Sequence, residues 1–179
     1  IQEGNGVPAD GDLWVSYSVN KEDMWISRIP VPVEINASAH ADDDFSKNKS
    51  IAELTDWNIY SPVWAPVSLE DQWLKLQDKD PFDYAKVERK IPASKELKVS
   101  FDLKAGQNNK GTLQIEFLDE NGIACSRIEL TDDGIFRLKG GSRFANMMKY
   151  EAGKVYHVEA VLSTVDRNIQ VYVDGKRVG

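Results

Sequence analysis

A chain of 179 residues with a formal net charge of -7 and a sequence pI near 4.9 is long enough for one full hydrophobic core plus an appendage, and short for two. The acidic balance argues against nucleic acid or an anionic membrane as partner, since neither attracts a negative surface, and favours a neutral ligand or another protein. No apolar run reaches the ~18 residues of a membrane helix, and a single cysteine, Cys125, excludes an intramolecular disulfide, so the core alone must hold the fold.

Along the chain, the opening Ile-Gln-Glu-Gly-Asn-Gly reads as a segment of something larger. Leu13, Val15 and Tyr17 alternate with polar or small neighbours and predict a strand; residues 26–33 predict a second, broken by Pro30 and Pro32. A lone hairpin is marginal in water, so residues 12–33, rich in Leu13, Val15, Trp25, Ile26 and Ile29, are expected to be covered by the rest of the chain or by a neighbour. Residues 36–50 are polar and read as a linker or crossover loop. From Trp57 onward short β-rich runs alternate cleanly at 99–103, 113–117, 128–130, 158–162 and 169–173. Turn residues at 119–122, 131–134, 164–168 and 174–175 lie between them and predict hairpins. One apolar and one polar face per strand predicts an all-β, antiparallel β-sandwich, of jelly-roll type. Residues 49–54 and 147–151 have room for short helical turns only.

The spacing of Ser18, Asn20 and Trp25 resembles the Asp box of sialidase-like β-propellers, Ser-x-Asp-x-Gly-x-Thr-Trp, with Glu22 and Met24 where Gly and Thr would stand. The ending from Val155 to Val178, with its Val171-Tyr-Val-Asp-Gly175 element, resembles the concanavalin A-like, or laminin G-like, fold. The combined layout, carried by residues 13–33, 61–67 and 78–89, resembles bacterial secreted sialidase-like glycoside hydrolases with Asp-box repeats, in which a propeller precedes such a sandwich. That resemblance implies a terminal propeller hairpin over 1–35, a linker over 36–55 and a concanavalin A-like sandwich over 56–179. It further implies export to the periplasm, cell surface or medium, and upstream blades of the same protein as a partner. The arginine triad, acid and tyrosine nucleophile of a sialidase would lie in those blades, so no catalytic residue carries over. The implied role is a non-catalytic accessory module, structural or glycan-contacting. A stand-alone carbohydrate-binding module and a glucanase-like enzyme are its rivals.

Trp57, Trp64 and Trp73, with Tyr60 and Tyr84 nearby, form the aromatic group that a polysaccharide or oligosaccharide surface requires, because pyranose C-H faces stack on such rings. Core or interdomain packing is the competing use. Asp42, Asp43 and Asp44 lack the spacing and central Gly of a calcium loop and read as solvated; no cofactor is expected, with calcium left open at a site the sequence does not identify. Glu116 with Glu129, and Asp102 with Glu159, are conceivable carboxylate pairs, but strand alternation aligns acids without any chemistry, and the Glu-x-Asp-x-x-Glu strand of this fold's glucanases does not occur. Cys125 lies in a strand-like run, with the character of a buried or half-buried thiol rather than a nucleophile. Gly140-Gly141 lacks the strand-to-helix context of a phosphate cradle. Only four residues follow Gly175, so the strand at 169–173 is expected to have an incomplete neighbour, and a chain extended by roughly thirty residues to melt higher.

Overall fold

The computed structural model describes residues 12–19, 23–30 and 41–179. Apart from one 3-10 turn at Ile51–Glu53, every regular element among them is a β-strand. The chain divides into two compact units, Ile1–Pro92 and Ala93–Gly179.

The first unit opens with the expected hairpin. β1 (Asp12–Val19) and β2 (Asp23–Pro30) pair antiparallel, with Tyr17 opposite Trp25 and Ser16 opposite Ile26. Alternate residues point to opposite sides of a strand while direct partners share a side. Tyr17 and Trp25 therefore mark one face, and Trp14, Ile26 and Met24 the other. Apolar side chains stand on both faces, and Trp14 is 63% and Trp25 54% exposed, so of the two expected kinds of cover the described part of the chain does not supply it at these residues. Asn20 and Glu22, two of the Asp-box positions, lie outside the described residues.

Two further ladders follow in this unit. β3 (Trp57–Tyr60) pairs with β6 (Lys86–Arg89), and between them β4 (Val67–Glu70) pairs with β5 (Trp73–Leu76). The β4–β5 turn places Asp71 and Gln72 at φ of 50° and 66°, the double left-handed geometry that matches the strand twist of a two-residue hairpin. Gln77 N to Pro66 O and Lys79 N to Trp64 O, at 3.0 and 2.9 Å, extend that ladder beyond the strands.

The second unit, Ala93–Gly179, forms a β-sandwich; residues 57–89 of the span expected for it, 56–179, form the separate ladders above. One sheet runs β11-β10-β9-β8, from β8 (Leu113–Leu118), β9 (Ala124–Leu130), β10 (Ile135–Gly140) and β11 (Arg143–Lys149). The other runs β14-β13-β12-β7, from β7 (Glu96–Lys104), β12 (Val155–Ser163), β13 (Asn168–Val173) and β14 (Lys176–Arg177). All pairings are antiparallel. The alternation read from sequence is what fills the layer between them: Phe117, Ile128, Leu130 and Phe136 from one sheet meet Tyr156, Val158, Ala160, Val171 and Val173 from the other. The Phe136 ring meets Tyr150 and Tyr156 edge-on at 5.6 and 5.5 Å, the geometry favoured by the ring quadrupole.

The turns form where expected. At residues 131–134 the Gly134 N-H bonds to Thr131 O at 3.1 Å with φ of +75°, a left-handed backbone that calls for glycine. Residues 147–149 are strand rather than the expected helical turn. A bulge at Phe136/Arg137 sets Met148 opposite Phe136 and Asn146 opposite Arg137, leaving Met147 as the extra residue and breaking the period that identifies a strand. Cys125 lies on β9 as expected but is exposed, its Sγ donating to Phe117 O at 3.0 Å. β14 covers only part of β13, through Arg177 opposite Tyr172 and Lys176 opposite Val173, with Val171 bonded onward to Val178 and Gly179.

Candidate functional site

β3 turns its side chains alternately: Trp57 and Ile59 are half-buried, Asn58 and Tyr60 exposed. Tyr60 thereby meets Tyr84, from the loop between β5 and β6, with ring centroids 5.7 Å apart and planes at 56°. That loop has no ladder of its own. Its aspartates bond its own backbone instead: Asp78 accepts from Asp80 N, Asp80 from Phe82 N and Asp83 from Tyr84 N, each at 2.9 Å, the Asx-type turns that hold irregular backbone in place. Asp83 also accepts from Tyr60 Oη at 2.9 Å. This bond, together with partial burial and the charge on Asp83, raises the Tyr60 phenol above its ordinary value. Phe82, not singled out in the sequence, projects from the same loop at 96% exposure. The result is a solvent-facing aromatic pair with a carboxylate bonded to one of its hydroxyls and a third exposed ring on the same loop. Such a surface stacks on an apolar ring face and accepts hydrogen bonds from hydroxyls.

The other three expected rings are placed differently. Trp57 faces the opposite side of β3 from Tyr60, packs on Phe45 at 5.9 Å and donates its Nε1-H to Asp43 Oδ2 at 3.2 Å. The same carboxylate oxygen accepts from Arg89 Nε at 3.2 Å, and Arg89 Nη2 reaches Asp56 at 3.3 Å. Asp44 accepts from both Ser46 N and Ser46 Oγ, bonds that pull its carboxyl below the usual range. The acidic triplet is exposed to solvent as expected, and two of its aspartates also hold neighbouring groups in place. Trp73 sits at the turn end of the β4–β5 hairpin and Trp64 beyond its open end, separated by the strand length of about 10 Å or more. Trp64 is largely exposed. In this unit the ring contacts among the described residues are Phe45–Trp57 and Tyr60–Tyr84.

In the sandwich, each carboxylate that the sequence paired with another acid is held by a cation or a histidine. Arg127 bridges Glu116 and Glu129, the latter at 3.2 Å. Burial opposes the Arg127 charge, but the bonds to Glu129 and Glu116 outweigh it and raise the guanidinium further. Lys98 holds Glu159 at 2.7 Å, and His157 Nδ1 lies 2.8 Å from Asp102 Oδ1. On the outer side of β10 and β11, Arg137, Phe144 and Asn146 line a shallow open depression of about 430 Å³. No group of three or more His, Cys, Asp or Glu among the described residues is arranged to hold a metal ion, and no helix among them is long and apolar enough to cross a membrane.

The comparisons agree with this architecture. A solved structure named "Sialidase" is 90% identical over 100% of this chain, with a TM-score of 0.84, and the chain spans 16% of that protein's length. No curated protein shows significant similarity. The family described as "Sialidase-like, CBM domain" matches residues 57–179. Its match starts at the first residue of β3 and takes in both the Tyr60–Tyr84 surface and the whole sandwich, and the chain belongs to this sialidase-like carbohydrate-binding-module family.

Proposed function

We propose that the chain is a non-catalytic, glycan-contacting part of a sialidase-type glycoside hydrolase, and that Tyr60, Tyr84, Phe82 and Asp83 form its contact surface in the first unit, with Trp64 and Trp73 as outlying contacts. The single observation that carries this reading is the Tyr60–Tyr84 pair: two rings open to solvent and fixed in place by an aspartate. Burial would make such rings packing elements; exposure on a rigid loop makes them a platform. The domain that makes these contacts starts at residue 56 in this reading, with 36–55 as the linker before it.

The hairpin of β1 and β2 serves in this proposal as the last blade element of a propeller in the longer protein. Its support is the Ser18 and Trp25 spacing together with apolar side chains on both faces, which upstream blades would cover. Export follows from the same resemblance to secreted Asp-box hydrolases. The parent's hydrolysis would reside upstream, so the chain itself turns over no glycoside.

The test is a glycan array followed by calorimetry, with wild-type chain and the Tyr60→Ala/Tyr84→Ala variant. Binding of at least one neutral oligosaccharide, weakened roughly tenfold or more in the variant, is the expected result. Binding that ignores both substitutions, or no glycan binding at all, ends the reading. A panel of chromogenic glycosides tests the rest: turnover abolished by replacing one Asp or Glu would make the chain an enzyme.

A further inference from the structure

We propose that the outer face of the β8–β11 sheet carries a second glycan subsite, centred on Phe144, that takes a sugar bearing a carboxylate. This rests on the glycan-contacting reading above and names a ligand class and a place that reading does not.

The ladder between β10 and β11 builds the subsite. Lys139 lies opposite Phe144 and Arg137 opposite Asn146, so three side chains lie around one exposed ring. Lys139 Nζ is 5.2 Å and the Arg137 guanidinium carbon 6.0 Å from its centroid. Arg137 Nε donates to Asn146 Oδ1 at 3.0 Å. That bond orients the guanidinium and leaves its Nη donors for another acceptor. Arg137, Phe144 and Asn146 together line a shallow, open depression.

The neighbouring strand decides the charge that fits. Arg137 has Glu129 as its cross-strand partner on β9, but Glu129 is buried and accepts from Arg127 Nη1 at 3.2 Å and Gln114 Nε2 at 3.5 Å. Arg127 also holds Glu116. Both nearby carboxylates are therefore taken up by Arg127, and among the described residues neither Arg137 nor Lys139 is in an ion pair. On a chain whose net charge is -7, two cations flanking a solvent-exposed ring form a local anion-attracting field. A neutral sugar would use the ring and leave the cations idle. A simple anion would use the cations and leave the ring idle. A pyranose with a carboxylate uses both: its C-H face stacks on Phe144 while the guanidinium fork takes the two oxygens.

The experiment is an amide NMR titration of the full chain with the methyl glycosides of glucuronic and N-acetylneuraminic acid, with methyl glucoside and acetate as comparisons. At least one acidic sugar should shift the Arg137, Lys139, Phe144 and Asn146 resonances and bind roughly tenfold or more tightly than methyl glucoside or acetate. Phe144→Ala and Arg137→Gln, both on the surface, should each abolish that preference, and Tyr60→Ala/Tyr84→Ala should leave it intact. Equal response to methyl glucoside or to acetate, shifts confined to other residues, or no shift with either acid overturns the subsite. Should the Tyr60–Tyr84 surface still bind neutral glycans in that case, the proposed function survives; loss of binding at both places ends the two together.

Discussion

The hairpin β1–β2 and the hairpin β8–β9 are made from the same local instructions, yet only one of them is finished. Both are antiparallel pairs of strands rich in apolar residues. In β8–β9 the inward set, Phe117, Ile128 and Leu130, is buried against a second sheet. In β1–β2 apolar residues stand on both faces, and Trp14, Trp25, Met24 and Ile26 are exposed. The difference teaches that period-2 alternation specifies a strand and its turn, while hydrophobic stabilisation is set by what a neighbour removes from water.

The comparison breaks most sharply at Phe136. Fully buried between Tyr150 and Tyr156, its truncation in Phe136→Ala should cost about 3–5 kcal/mol, the range for losing a core aromatic and leaving a cavity, read as a fall in the urea midpoint. A loss under about 1 kcal/mol would mean that the layer between the sheets is not the core. Next comes Arg127→Met, at about 1–2 kcal/mol, because it strands the nearly buried Glu129 beside Glu116 without their shared cation. Tyr150→Phe should follow. The Tyr150 hydroxyl donates to Thr131 O at 2.8 Å in a buried place, and removing it takes one of that carbonyl's two hydrogen bonds, the Gly134 N-H remaining, at a cost of up to about 1.5 kcal/mol.

A smaller effect belongs to the first unit. The Tyr60 phenol is raised by its bond to Asp83, and the Tyr150 phenol by burial and by the charges of Asp132 and Asp133. A raised value in the folded state means that each contribution is complete below the unfolded phenol value of about 10. It fades as pH climbs through the higher folded value. Ultraviolet titration of tyrosinate should therefore show late-ionising phenols, and Tyr60→Phe should remove one of them; an unchanged curve would show that the Asp83 bond does not form in solution. Smallest of all, Trp25→Ser in this chain should change stability by no more than about 0.5 kcal/mol, since the side chain is already half in water. In a longer protein with the preceding blades, the same substitution should cost several times more, on the scale of about 25 cal/mol per Å² of apolar surface covered. Equal small losses in both would separate the hairpin from any propeller.

The candidate site was legible in fragments. Tyr60 and Tyr84 stand out in sequence only as members of an aromatic-rich stretch, because composition cannot say that Trp57 and Tyr60, three residues apart on one strand, face opposite sides with opposite fates. Phe82 is brought out by consecutive Asx turns around it, a signal present in the Asp-x-Asp-x-x-Asp spacing of residues 78–83 that points to a rigid loop. Phe144 is obscured by the bulge at Phe136/Arg137, which upsets the alternation of residues 143–149 and hides both the strand and the cations opposite it.

By itself the sequence determined the local order of this protein: which runs are strands, where left-handed glycines close the turns at Gly122, Gly134 and Gly175, and which side chains make the inner layer. These follow from sterics and from the two-residue period, both properties of the chain over a few residues. Tertiary structure alone decided which carboxylates meet a cation, which aromatic rings stay open to water, and that Asp71 and Gln72 take the left-handed turn that glycine and asparagine usually occupy. Those outcomes depend on partners far apart in the chain, as Lys98 is from Glu159 and Asp43 from Arg89, and a charge or a ring acquires its role only when the fold has chosen its neighbours.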